Sequence, residues 1–528
     1  MKSSKLHRND LPNMNPDTKQ RRRGRRTRAI KDFMADKKGA PAVARNTFRP
    51  VFHFYPDDQF EQLRERTLVL LETHGVAIEH ETAGNLLSAS GAIRSGEGNC
   101  FRLPRELVEE ALAATPRSVT LYARDPDWDL ELPRADGSFT MRTGTGAHGF
   151  IDAATGDYRN LRLEDVDIIA QLGNHLDQVG FISHPFVKEV PAPAADIHGF
   201  SRLITRTHKH TWMQPYDYKN VEYLIRIATA AAGGEKSLRE RPIASCIATA
   251  FTPLAFKPMD VEAIRQSVRY GLPIHACSLP SAAGTAPITM PGVAIIAAAE
   301  ILAMVVLAHV FGSGVPVIAT PLVFSLDVRT GSALQSSVEV LQGSSIAVQL
   351  MKYGFGLVTH TYGAGSDSPA PGPQAQAEVA LRAQLVSLSG ADILGGVGQL
   401  ECATTFSPIQ AILDNEVGAM LNKYLQASPV DDESTAWELL TGIETGGNFL
   451  AEEHTVRHCR SMFMPRVYRR EDRDSYEANN RRDVMDSALE TYHQIMDRPL
   501  PDPMMDADRV REIEEIVRVA EADILSDI

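Results

Sequence analysis

Cysteine is scarce and scattered: Cys100, Cys246, Cys277, Cys402 and Cys459 are the only five, and no CxxC pair occurs. An odd, dispersed set excludes a disulfide framework and a linear zinc cluster. With no secretory signal in view, it fits reduced thiols in a cytoplasmic protein. Positive charge is short outside the first 50 residues, which hold 15 Lys+Arg against 4 Asp+Glu while the whole chain carries −13. An acidic body excludes nucleic acid as the main partner, because phosphate binding needs a basic surface. Short catalytic signatures are missing as well. There is no GxSxG, P-loop or HExxH, and Gly144-Thr145-Gly146 does not complete a dinucleotide fingerprint. No metal ligands are assigned.

Long apolar runs are nearly absent. One, Pro291 to Phe311, has membrane length, but it carries Glu300 near its centre and His309 near its end. It reads as a helix hidden inside a large fold, with no membrane span. The run Arg21-Arg22-Arg23-Gly24-Arg25-Arg26-Thr27-Arg28 lacks the apolar segment that an export signal needs behind it. Residues 1–48 therefore read as a disordered basic tail.

What is present is a repeated unit. Leu357-Val358 reads as a buried strand, followed by a Gly-, Ser- and Pro-rich loop with His360, Tyr362 and Asp367. A helix from Pro373 follows, with Ala377, Leu381, Leu385 and Leu388 as its apolar face. Candidate strands near 145–151, 179–184, 211–214, 243–249, 272–277, 315–319, 356–360 and 392–396 are each followed by a helical pattern, with Gly or Pro at most joints. Eight such units predict an α/β fold, a (β/α)8 TIM-type barrel over 139–426. An α+β cap over 49–138 and a helical C-terminal extension over 427–528 complete the chain. The last helix, near 506–527, is amphipathic and packs on the barrel or on a second subunit, so a homo-oligomer is expected.

Ligand chemistry in a parallel barrel sits at the strands' C-terminal ends. Those ends offer His184, Trp212, Gln214, Tyr216, Thr252, Ser278, Thr320, His360, Tyr362, Asp367, Gln399 and Glu401. His360 and Asp367 are the candidates for catalysis. Trp212, Gln214, Tyr216, Thr320, Tyr362 and Glu401 are the candidates for substrate binding.

From about residue 50 to 505 the order of segments resembles the trimethylamine methyltransferase family, the corrinoid-dependent methyltransferases of methylated amines. The resemblance runs through Gly284-Thr285-Ala286-Pro287-Ile288-Thr289, Asp327-Val328-Arg329-Thr330-Gly331, Ser366-Asp367-Ser368, Asp414-Asn415-Glu416 and Asp431-Asp432-Glu433. It departs at Pro369 and Gly372, where the family usually has Lys and Asp, and at Asn448, where it usually has His.

The resemblance implies a barrel whose mouth docks a separate corrinoid protein, with the corrinoid (cobalamin) supplied by that partner and none bound tightly. The chain lacks the pyrrolysine of archaeal trimethylamine enzymes. It therefore resembles the branch acting on quaternary amines such as glycine betaine, and the substrate is a small quaternary or tertiary amine. A quaternary ammonium already has a neutral leaving group, so attack by Co(I) needs neither protonation nor zinc. A carboxylate against the ammonium would stabilise the ground state more than the transition state. Asp367 is thus expected to order its loop, and aromatic faces to hold the cation. A carboxylate tail on the substrate would fall to His360, Gln214 or Thr320. The alternatives are a noncatalytic barrel that senses such amines, and an unrelated barrel lyase or hydrolase.

Overall fold

The computed structural model describes residues 49–95, 98–426, 428–499 and 505–526; the basic tail expected over 1–48 lies outside them. Eight parallel strands close a barrel in chain order. They are β1 (Thr140–Thr143), β2 (Val179–Ser183), β3 (His210–Met213), β4 (Ala244–Thr249), β5 (Ile274–Ser278), β6 (Val317–Pro321), β7 (Val358–Tyr362) and β8 (Ile393–Val397). Pairing of Ile393 with Thr140 joins the last strand to the first. Between them run α1 (Leu163–His175), α2 (Ala195–Arg206), α3 (Tyr218–Ala232), α4 (Pro258–Tyr270), α5 (Met290–Phe311), α6 (Val338–Gln349), α7 (Pro373–Leu388) and α8 (Pro408–Leu425). Local chemistry sets many of these ends. Gly233 and Gly271, both left-handed, stop α3 and α4. Pro258, Pro373 and Pro408 open α4, α7 and α8, where a missing N–H costs nothing.

Two expectations need correction. The first barrel strand is Thr140–Thr143, not 145–151. Gly149–Ile151 is a strand, but it pairs with Tyr158–Asn160 and Thr405–Phe406 in a small separate sheet. Thr-Met-Arg-Thr reads as polar because its charge faces inward, which hides a strand that is buried throughout. The buried residues of α7 are Ala375, Val379, Arg382, Ala383, Val386 and Ser387, whereas Leu381 is exposed. Small and β-branched side chains let this helix lie close to the sheet, so the largest apolar residues do not mark its inner side.

The hairpin Val119–Leu121/Leu130–Leu132 plugs the N-terminal end of the barrel, sharing one apolar cluster with Phe181, Ile318, Val358 and Ile393. The first helices, Asp57–Thr73, Glu81–Ala89 and Arg105–Ala114, lie against α5. That cover explains the apolar run: a helix hydrophobic on all sides must be buried on all sides. Among the described residues α5 alone is long and apolar enough to cross a membrane, and it is a barrel helix. Val484–Met496 packs on α1 and α8, and Ala507–Leu525 packs on α2 and α3. Residues 428–464 form a separate unit of short helices.

Glu300, the charge inside α5, is fully buried. It accepts from Leu254 N at 2.8 Å, Thr252 Oγ1 at 2.9 Å and Ser278 Oγ at 2.5 Å, tying α5 to the ends of β4 and β5. Glu300→Leu should cost about 2–3 kcal/mol in urea unfolding, because a buried backbone N–H loses its acceptor. Glu300→Gln, which keeps an acceptor, should recover most of the loss. Equal stability of the leucine variant and the parent would remove this role.

Candidate active site

Alternate strand residues point into the barrel, and the inward set is unusual for a core. Arg142 (β1), Phe181 (β2), Trp212 (β3), His275 (β5) and His360 (β7) are all buried and adjoin one another. Ring centroids lie 5.1 Å apart for Trp212–His275, 5.3 Å for His275–His360 and 5.5 Å for Trp212–His360. The Arg142 guanidinium lies 4.0 Å above the Trp212 ring. Its Nε donates to His360 Nε2 at 2.9 Å and its Nη1 to Thr143 O at 2.7 Å. Nη2 has no protein partner, and among the described residues no Asp or Glu pairs with this cation. Burial pulls its pKa down to about 10, which leaves it charged at neutral pH. Burial first, and the Arg142 charge second, push the pKa of His360 and of His275 well below the usual imidazole value. Both rings are therefore neutral.

The hydrogen bonds decide the tautomers. Accepting from Arg142, His360 Nε2 bears no proton, so Nδ1 carries it. His210 Nδ1 donates to Tyr122 O at 2.8 Å, so its Nε2 accepts from Ser245 Oγ at 2.9 Å. Ser245 Oγ then accepts from His275 Nε2 at 3.2 Å, which leaves His275 Nδ1 as a lone pair. Trp212 Nε1, His360 Nδ1 and His275 Nδ1 have no protein partner. Gly395 on β8 provides the room: a Cβ there would lie 2.8 Å from His360 Nε2 and 2.9 Å from Arg142 Nη2.

Above this layer Tyr362 closes β7, its ring edge-on to Phe324 at 6.0 Å. It has guanidiniums on two sides, Arg142 at 5.8 Å and the fully buried Arg382 at 5.7 Å. Gln214 Oε1 accepts from Thr145 Oγ1 at 2.9 Å, and Gln214 N donates to His184 Nε2 at 3.1 Å. Tyr216 stacks on Phe186 at 5.1 Å, with its hydroxyl unpartnered in the protein. Thr320 is buried at the end of β6, where its hydroxyl donates to Ile318 O.

The β7 loop is braced by carboxylates. Asp367 accepts from Gln335 N and Ser336 N, both at 2.9 Å, and burial raises its pKa. Glu378 accepts from Ser366 Oγ at 2.5 Å and Asp367 N at 2.9 Å. The β8 loop is strained: Glu401, Cys402 and Ala403 have φ of 50°, 53° and 73°. A non-glycine residue there costs about 1–2 kcal/mol, and such strain persists only where the surroundings over-determine it. Here Glu401 N donates to Ser368 O and Cys402 N to Ser366 O, at 3.0 and 3.1 Å, binding the two loops together.

The structure thus gathers Trp212, His360 and Tyr362 into one interior cluster, whereas Gln214 and Tyr216 contact the loops after β1 and β2, Thr320 bonds within β6 and the Glu401 carboxylate accepts from Thr405 Oγ1. His360 is not at the strand end but in the middle of β7, because the strand runs on to Tyr362. The Trp212 face proposed for a substrate cation is covered by the Arg142 guanidinium. Asp367 has both oxygens engaged with backbone. Sequence reasoning missed Arg142, His275 and Arg382; the signal available for Arg142 was a lone charge within a short buried strand. In the 428–464 unit, Glu433, His454 and His458 bring three possible ligand atoms within 4.8 Å of one another. Two of them already serve internal bonds, His458 to Glu433 Oε1 and His454 to Glu433 O.

Residues 19–524 match the family described as trimethylamine methyltransferase (MTTB). Trimethylamine methyltransferase MttB of Desulfitobacterium hafniense (strain DSM 10664 / DCB-2) is 28% identical over 451 residues, 85% of this chain and 90% of that one. MttB1 of Methanosarcina mazei is 26% identical, over 89% and 95% of the two chains. Glycine betaine methyltransferase of Desulfitobacterium hafniense (strain Y51) is also 26% identical, over 87% and 96%. With nearly its whole length matched, the chain belongs to the trimethylamine methyltransferase family.

Proposed function

We propose that this chain takes a methyl group from a quaternary or tertiary methylated amine, such as a betaine, and delivers it to the reduced corrinoid of a partner protein. The observation that carries this reading is an interior built to hold rather than to react. The imidazoles are neutral, the hydroxyl beside them (Ser245 Oγ) is buried and occupied by His210 and His275, burial keeps the Cys277 thiol protonated, and Glu300, Asp367 and Glu378 are engaged in bracing. A docked partner's corrinoid would supply a two-electron nucleophile, and a quaternary or protonated tertiary amine would leave as the neutral amine with the C–N electron pair on nitrogen.

The protein's part is orientation and electrostatics. Arg142, with no carboxylate beside it among the described residues, makes the interior positive, which raises the energy of a bound ammonium. That repulsion fades as the charge leaves with the methyl, so it lowers the barrier rather than the ground state. Phe324, half-buried beside Tyr362, offers aromatic surface near the mouth, where a cation finds about 0.5–2 kcal/mol. Phe251, Ile288, Val328 and Val338 are exposed on or beside the loops after β4, β5 and β6. Large apolar side chains on the face that holds the mouth suit a docking protein.

Purified protein mixed with Co(I) corrinoid, free or on its carrier, should consume Co(I) absorbance with at least one of a panel of quaternary and tertiary amines. An equal amount of demethylated amine should appear. Tight amine binding without turnover by any member would instead mark a sensor.

A further inference from the structure

We infer that Arg142 binds the anionic end of the substrate, so that the site selects zwitterionic amines bearing a carboxylate over simple cations. This inference rests on the methyl-transfer reading for the substrate's other end. A buried cation without a partner is costly, and natural cores pair such charges or leave them out. Arg142 is kept deep in the barrel with no acidic neighbour, held in place by Trp212, His360 and Thr143 O, with Nη2 left over. Most of the leftover groups around it donate. Arg142 Nη2, Trp212 Nε1 and His360 Nδ1 are donors; His275 Nδ1 accepts, as does the Tyr362 hydroxyl against Arg142. A guanidinium with neighbouring N–H groups matches the planar geometry of a carboxylate.

The same charge argues against a bare cation. A tetraalkylammonium in this lumen would meet Arg142, which no Asp or Glu among the described residues offsets. A zwitterion gains at Arg142 what its ammonium loses. With its carboxylate in the His360 layer, its ammonium lies up the barrel beside Tyr362, two residues further along β7 and nearer the mouth.

Calorimetry on the full chain tests this with probes that separate the two ends. The carboxylates are glycine betaine, 4-(trimethylammonio)butyrate and 3,3-dimethylbutyrate, the last an isostere of glycine betaine with a neutral tert-butyl head. Choline and tetramethylammonium carry the cation alone. At least one carboxylate should bind at least 100-fold more tightly than either simple cation. Arg142→Met should abolish that difference, with its Tm read alongside because His360 Nε2 and Thr143 O lose their donor, and Arg142→Lys should restore part of it. Should Arg142→Met fail to fold, the wild-type panel decides alone. Simple cations binding as tightly as the carboxylates, no carboxylate binding at all, or undiminished carboxylate binding by Arg142→Met would overturn the inference. Methyl transfer from choline or trimethylamine at the betaine rate would remove the anchor and keep the reaction. Carboxylate-selective binding with no transfer would do the reverse.

Discussion

Gly395→Ala is expected to lower kcat/KM for methyl transfer by about 100-fold, the scale of a misplacement near 1 Å at a reacting centre. The added Cβ would lie 2.8 Å from His360 Nε2 and 2.9 Å from Arg142 Nη2, closer than real contacts allow. The glycine's own backbone is ordinary, so the effect is purely one of space. Neither neighbour can retreat freely, since Arg142 lies against Trp212 and His360 is fixed within β7. Overpacking of this kind costs about 1–3 kcal/mol of stability, which calls for a control of the same class. Gly173→Ala on α1 drives a Cβ to 2.4 Å from Ile182 Cδ1 on the outside of the barrel. It should lose comparable stability and keep its activity per folded molecule. If the two variants lose activity alike, the Arg142–His360 pair has no special place in the reaction.

Asp414→Asn is expected to change how stability depends on pH. Asp414 is fully buried in α8, accepting from Gly398 N at 2.8 Å and Gln410 Nε2 at 2.7 Å. Burial raises its pKa from 3.8 to about 7 against the pull of those two bonds. A carboxyl whose folded pKa is raised contributes stability that is fully present below pH 4. That contribution is lost as pH climbs through the folded value near 7. The whole shift corresponds to about 4 kcal/mol. Asparagine resembles the protonated form, so the variant should match the parent near pH 4 and exceed it in Tm by several degrees at pH 8. Parallel Tm curves for the two proteins across pH 4–8 would mean that Asp414 does not titrate in this range.

The chain is legible where burial repeats locally. The helical pattern at 217–233 lands on α3 because Pro215 and Gly233 bracket it, and the one long apolar run lands on a barrel helix. Legibility fails where a side chain's surroundings come from elsewhere. Arg142 faces the lumen, so its strand looks polar in sequence and the neighbouring 145–151 looks the better strand. Leu381 looks like core and is exposed, because α7 approaches the sheet through small residues. Residues at strand ends were found by position, but not what they touch: Trp212 meets a guanidinium, and Asp367 holds backbone 31 and 32 residues away.

By itself the sequence determined an eight-unit barrel, its helices and the family, because strand and helix periods and motif order are properties of neighbouring residues. Only the tertiary structure decided which buried polar groups find partners. Arg142 and His360 are 218 positions apart and meet because barrel closure sets β1 beside β8 and leaves their inward side chains facing across one lumen. The charge that this closure leaves unpaired is a fact of three-dimensional packing, which no local pattern encodes.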